Sequence, residues 1–312
     1  MDKTLKLWRT EGKFEGHKDA ISRISFSPDR NNPIIATASL DGTVKIWSQD
    51  GNFIRNLEGH KSGVIDVKFS PDGQNIADSS DDKTVKLWSV NGKLIKTLAG
   101  HTDSVRSVNF SPDGQMIASA STDKTIKLWH LNGQLIRTFQ GHKDWVNNVS
   151  FSPDGQMIAS ASTDETVKLW NVNGSLLLTL PGHKDGAFHV IFSPDGKMMA
   201  TASTDEVKLW DLKGKLLRKL QLGSNNTIMN ISFMNKGQMI ALVTNDKKMK
   251  IWDIDGKLLQ KIQGNNDSIL NVSFSNDGRK IALVNAENTV SLWDLEMDKL
   301  LNKGCNLSLI HI

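Results

Sequence analysis

Ser-Pro-Asp-Gly-Gln-Met-Ile-Ala-Ser-Ala-Ser-Thr-Asp stands at 111–123 and again, letter for letter, at 152–164. The two copies are 41 residues apart, and working outward from them shows that the whole chain keeps this period. Eight of the nine tryptophans close a Leu-Trp or Ile-Trp pair, at 8, 47, 88, 129, 170, 210, 252 and 293, with spacings of 39 to 42. A marker glycine runs in step at 16, 59, 100, 141, 182, 223 and 264. The 312 residues alone suggest about two domains. A fixed period of about 41 overrides that prior, because it means one supersecondary unit repeated.

Each unit reads as four short strands. In 141–181 the first carries Val146, Val149 and Phe151 and ends at Ser152-Pro153-Asp154-Gly155. A small-residue strand follows at 156–162, then a turn at Asp164, a third strand Thr166–Trp170, an Asn173-Gly174 turn and a last strand, Leu176–Leu180. Pro presets its own φ and Gly takes the positive one, so both turns suit tight hairpins. A lone four-stranded meander leaves both apolar faces and both edges open. Radial stacking buries the faces, and ring closure protects the edges.

The Gly-His pairs at 16–17, 59–60, 100–101, 141–142 and 182–183, the Trp-Asp pairs at 210–211, 252–253 and 293–294, and the period together resemble the WD40 repeat. The near-identity of the copies resembles the bacterial arrays of that family. The resemblance implies an all-β propeller of seven four-stranded antiparallel blades, with eight, one of them incomplete, as the alternative. It covers one domain, 1–312, with complete repeats at 16–58, 59–99, 100–140, 141–181, 182–222, 223–263 and 264–303. Partial repeats stand at 1–15 and 304–312. Asp2–Trp8 matches Asp123–Trp129, so the front piece starts in mid-repeat, and the chain reads as a window from a longer array. An N-terminal outer strand at about 11–15 is expected to close the last blade.

The resemblance further implies buried hydrogen-bonded sets: His17, Thr37, Asp41, Trp47; His101, Ser119, Asp123, Trp129; His142, Ser160, Asp164, Trp170; and His183, Thr201, Asp205, Trp210. The last has one residue fewer between turn and Trp. In the second repeat Asp78 replaces the Ser or Thr, and with Asp81 and Asp82 it reads as a solvated acidic turn, the alternative being an ionic bond from Asp78 to His60. In the sixth and seventh the His becomes Ser224 and Asn265, and the strand position becomes Leu242 and Leu283.

Chemistry is absent from the pattern. Histidines recurring once per blade lie far apart, whereas a triad needs its members in one place. No metal-ligand spacing and no Gly-rich phosphate loop occur. Neither a catalytic site, a metal nor a cofactor is expected. The net charge of +4 is small for this length, and no aromatic platform accompanies the lysines, so nucleic acid is not an expected partner. The lysine of each third strand (Lys6, Lys45, Lys86, Lys127, Lys168, Lys208, Lys250) is read as a stem packed along the sheet with a solvated head. The start has no signal-peptide core, no apolar run reaches membrane-spanning length, and the single Cys305 suits a reducing compartment. A monomeric cytoplasmic propeller with no membrane partner is expected.

What remains is binding. From each marker Gly, apolar residues recur at plus five, eight and ten, a shift from odd to even that predicts a bulge near the strand's start. Plus four and plus six should then face the rim of the Gly-His loops, which the family resemblance implies as a binding surface. At plus four Trp145 stands alone among small residues. At plus six come Ile65, Arg106, Asn147, Phe188, Met229 and Leu270, and Asp81 precedes a turn Asp. These eight are the expected contacts for a protein or peptide. The chain is thus expected to be a non-catalytic scaffold. The alternatives are the ligand-sensing part of a larger bacterial signalling protein, such as an NTPase or kinase, and a propeller enzyme.

Overall fold

The computed structural model describes residues 5–6, 16–29, 33–181, 183–222, 228–245, 248–263, 269–275, 280–285 and 290–294. Blade four shows the plan: Val146–Phe151, Met157–Ser162, Val167–Asn171 and Leu176–Leu180 pair in sequence order, each antiparallel to the last. The second strand is buried on both faces because it lies between neighbouring sheets, so small residues alternate there with Ile158, and none of Ile158–Ser162 is more than marginally exposed. Gly155 holds φ +70° in the Pro-Asp-Gly turn. Ser152 locks that turn, its Oγ accepting from the Met157 amide at 2.9 Å and donating to Asp154.

Among the described residues six blades have four antiparallel strands, and one further sheet has three, Ile269–Phe274, Lys280–Asn285 and Val290–Asp294. The expectation of seven four-stranded blades is corrected accordingly. The expected outer strands at 295–303 and about 11–15 both lie outside the described residues. The described part of the N-terminal piece, Leu5–Lys6, runs parallel to Leu258–Gln263 and so extends the sixth blade instead of the last sheet. The eight-blade alternative fails on packing. Each of seven apolar clusters is shared by two neighbouring sheets, and one of them joins Ala282, Val284 and Val290 to Ile21, Ile24, Ile35 and Trp47. The ring therefore closes from the three-stranded sheet directly onto blade one, with no gap for another sheet.

The innermost strands carry the bulge the sequence predicts. Val146 pairs with Ser162 and Asn148 with Ala161, which leaves Asn147 as the extra residue. The same shift falls at plus six in six of the sheets. It sets plus five, eight and ten into the blade and turns plus seven to the central channel. No helix among the described residues is long and apolar enough to cross a membrane.

Candidate functional site

Three of the hydrogen-bonded sets have one geometry. In blade four His142 Nδ1 lies 2.8 Å from Asp164 Oδ2, its Nε2 lies 2.8 Å from Ser160 Oγ, and Trp170 Nε1 donates to that same Oγ at 2.9 Å. His101 with Asp123, Ser119 and Trp129, and His17 with Asp41, Thr37 and Trp47, repeat it within 0.1 Å. The turn Asp also accepts the amide after the His and the hydroxyl two residues on, as Asp164 does from Lys143 and Thr166. Burial opposes ionisation of Asp164, but these donors outweigh it and hold the carboxyl at about 2. Every polar atom is used within the set, so these histidines clamp a loop to a sheet and offer nothing to a substrate.

Blade five departs from its expected set. His183 Nε2 meets Thr201 Oγ1 at 2.7 Å and Trp210 Nε1 donates to the same oxygen at 2.9 Å, but Asp205 does not reach the histidine. Blade four turns through Glu165 at φ +69°, whereas the shorter Thr204-Asp205-Glu206 turn has no such residue. Glu206 instead takes the place of Thr166, counted back from the Trp. It lies 3.6 Å from His183 Nδ1, which is left buried without a hydrogen bond. Burial first, then the charge of Lys208, lowers the His183 pKa to about 4.

Blade two is ionic. Asp78, 1% exposed, accepts Trp88 Nε1 at 3.0 Å through one oxygen and faces His60 Nε2 at 3.0 Å through the other, while Asp82 holds His60 Nδ1 at 2.8 Å. Burial alone would lower the His60 pKa, but Asp78 and then Asp82 outweigh it and raise it above the ordinary 6.5. In His142 burial outweighs Asp164 and the pKa falls. The signs are opposite. Protonated His60 contributes stability that is full below 6.5 and is lost as pH rises through its raised pKa. His142 contributes stability that is full above 6.5 and is lost as pH falls towards its lowered pKa. An NMR titration is expected to place His60 above 6.5 and His142 below it; His60 at or under 6.5 overturns the ionic reading.

The third-strand lysines differ from their expected form. Lys86, Lys168, Lys208 and Lys250 are buried, and the Lys86, Lys127 and Lys168 ammonium groups donate to Thr97, Thr138 and Thr179 at 3.0 Å. A threonine on the neighbouring strand captures these three heads, and Lys208 pairs with Glu206 instead, so these four do not form a free basic belt.

On the rim, the Arg106 guanidinium lies 5.2 Å from the centre of the Trp145 ring, and Trp145 is 45% exposed. Asp81 is exposed and accepts a hydrogen bond from Ser104, one blade on. The Asn147 amide donates to Thr163 Oγ1 and to the Ala187 carbonyl at 3.0 Å. Phe188 and Ile65 are half-buried on their own blades, and Met229 packs on the apolar cluster between blade six and the three-stranded sheet. Leu270 lies in a described strand, but its side chain, like plus-four residues Thr227 and Ser268, lies outside the described residues.

The sequence reading missed a second surface, the channel. The plus-seven residues are Arg23, Asp66, Ser107, Asn148, His189, Asn230 and Asn271, one from each innermost strand. They join across blade boundaries. Arg23 Nε is 3.4 Å from Asp66, Ser107 Oγ donates to Asp66 at 3.0 Å, and Asn148 donates to Ser107 at 3.1 Å and accepts the Val190 amide at 3.0 Å. Asn230 donates to Asn271 at 3.0 Å, and Asn271 donates to the Ser22 carbonyl at 3.1 Å. The column of polar residues at a fixed offset was the available signal. No group of three or more His, Cys, Asp or Glu side chains among the described residues is placed to hold a metal.

Comparison with known proteins agrees with this architecture. The WD domain, G-beta repeat family model matches residues 8–48, 51–89 and 92–130, and the IFT122 first beta-propeller model matches 131–310, more than half the chain. The chain is 46% identical over 55 residues to coatomer subunit beta' of Drosophila melanogaster, which covers 17% of this chain and 6% of that protein. It is 46% identical over 50 residues to protein transport protein SEC13 of Lodderomyces elongisporus, 16% of each. The chain thus spans only a small part of these curated relatives. With both models accounting for nearly all of its length, and with seven sheets stacked around one channel, the chain belongs to the WD-repeat β-propellers, over 131–310 to those of the IFT122 first-propeller type.

Proposed function

We propose that the chain is a non-catalytic platform that binds a protein or peptide on the rim bearing the Gly-His loops, centred on Trp145 and Arg106. The observation that carries this is the exposed Trp145 ring stacked with Arg106, where sister repeats hold small residues. Trp and Arg are the side chains most enriched at binding hot spots, and this pair is pre-assembled. Phe188, Ile65 and Asp81 extend the surface along consecutive blades; Asn147, Met229 and Leu270 complete the proposed set. Relatives named as a coatomer subunit and a protein transport protein are in keeping with a role in an assembly. We read the chain as a monomer in the cytoplasm, with neither nucleic acid nor membrane as its partner.

Trp145→Ala tests the reading. The side chain contributes no core contact, so circular dichroism and thermal unfolding are expected to be unchanged. Affinity for a partner captured from native cell extract is expected to weaken by about 2 kcal/mol or more. Undiminished binding by the substituted chain places the site elsewhere.

A further inference from the structure

In blade four one carboxylate oxygen, Asp164 Oδ2, lies 2.8 Å from both His142 Nδ1 and the Lys143 amide nitrogen. The matching donors of blade five are His183 Nδ1 and the Lys184 amide, and neither has an acceptor among the described residues. The tautomer follows from the neighbours. Trp210 Nε1 can only donate, so Thr201 Oγ1 accepts it and sends its own proton to His183 Nε2. The neutral ring then carries its proton on Nδ1, in a side chain that is 1% exposed. Glu206 Oε1 is too far to accept it at 3.6 Å, and Lys208 Nζ holds that oxygen at 2.5 Å. A buried donor left unmet is unfavourable, and here it is unmet because the shortened turn withdraws Asp205.

A cavity of about 480 Å³ opens at this place, within the size range of small-ligand sites. Its wall includes Lys184 and Glu206, whose counterparts Lys143 and Thr166 both donate to Asp164 in blade four. The cavity therefore stands where the sister carboxylate sits. Blades two to four place Thr97, Thr138 and Thr179 opposite the third-strand lysine, but blade five places Lys219 opposite Lys208, and Lys219 also lines the cavity. Three acids share the wall: Glu206 is paired with Lys208, Asp185 accepts from Thr204 Oγ1 at 3.2 Å, and Asp205 is exposed. The ammonium groups of Lys184 and Lys219 form no ion pair among the described residues. At His183 the charge of Lys208 outweighs that of Glu206 and Lys219 adds to it, so the local field favours an anion.

We propose that the blade-five cavity binds a carboxylate carried by a ligand, which takes the place that Asp164 fills in blade four and accepts from His183 Nδ1 and the Lys184 amide. Lys219 supplies the counter-charge, and hydrogen bonds to an ionised acceptor are the strong ones. The carboxylate comes from an acidic side chain or from a chain terminus. The site does not use Trp145, so Trp145→Ala is expected to leave it unchanged.

NMR of the full chain, titrated near neutral pH with N-acetylaspartate α-amide and separately with N-acetylglycine, tests this. The His183 Nδ1–H resonance is expected to move downfield and saturate, while those of His17, His101 and His142 stay in place. The His183 pKa is expected to rise from about 4 at saturation, since a close carboxylate favours the charged ring. N-acetylglycine methylamide, which has no carboxylate, is expected to move nothing. Tighter uptake of the aspartate compound identifies an acidic side chain as the source, and tighter uptake of N-acetylglycine a chain terminus. Inserting a Lys after Asp205 together with Glu206→Thr rebuilds the Thr-Asp-Lys-Thr turn of 122–125, brings Asp205 onto His183 and is expected to weaken uptake by about tenfold or more. A His183 resonance unmoved by both carboxylates overturns the proposal, as does an equal response to the methylamide or undiminished uptake by the rebuilt chain. If the rebuilt chain does not fold, the His183 response of the unaltered chain decides.

Discussion

Asp78→Ala is expected to lower stability by about 3–5 kcal/mol, the loss typical of removing one partner from a buried ion pair. Both Asp78 oxygens are in use, one by Trp88 Nε1 and one by His60, and the site is closed to water. Alanine leaves two buried donors with no acceptor. Because the His60 pKa is raised, the loss is greatest below pH 6.5, where the wild-type pair is fully charged, and shrinks as pH rises through that pKa. Asp78→Ser, which copies blades three and four, is expected to recover more than half of it, since one hydroxyl there serves both His and Trp. Urea unfolding on each side of pH 6.5 measures all three chains. A loss under about 1 kcal/mol for Asp78→Ala shows that the pair contributes little.

Trp170→Ala is expected to lose a similar amount, about 3–5 kcal/mol, for a different reason. The ring is 3% exposed and belongs to the cluster that joins blades three and four, where Phe139 meets it edge-on at 5.6 Å. Truncation opens a cavity at a blade boundary, and the close approach of the Gly141 backbone to the ring loses its partner as well. Trp170→Phe keeps most of that contact and gives up the bond to Ser160, so about 1–2 kcal/mol is expected. Equal losses for the two substitutions, measured by the same denaturation, contradict a packing origin.

Much of the fold was legible because its unit is short and its turns are chemically explicit. The Trp spacing set the repeat, Ser-Pro-Asp-Gly and Asn-Gly set the hairpins, and the odd-to-even apolar shift located the bulge. Blade five was harder. Asp205 follows the same Ser-Thr pair as Asp164, yet the deletion behind it removes the left-handed residue that aims the carboxylate back at the histidine. Identity of letters did not report the path of the backbone. The heads of Lys86, Lys127 and Lys168 were misread because their threonine acceptors sit 11 residues away on the next strand, a pairing seen only once register is known. The channel column was missed because repeat analysis rewards what recurs, and plus seven holds five residue types in seven copies.

That variety has a consequence for assembly. Copies as alike as 111–123 and 152–164 invite errors of order: a unit skipped, or one borrowed from a second molecule during folding. Their faces are nearly interchangeable, so apolar packing discriminates weakly between the right neighbour and the wrong one. The plus-seven residues do discriminate. Arg23 has its acid only when blade two follows blade one, and Asp66 has its hydroxyl only when blade three follows blade two. A ring closed in another sequence strands a charge in the channel, so these inward-facing contacts act as an address written on otherwise repetitive units.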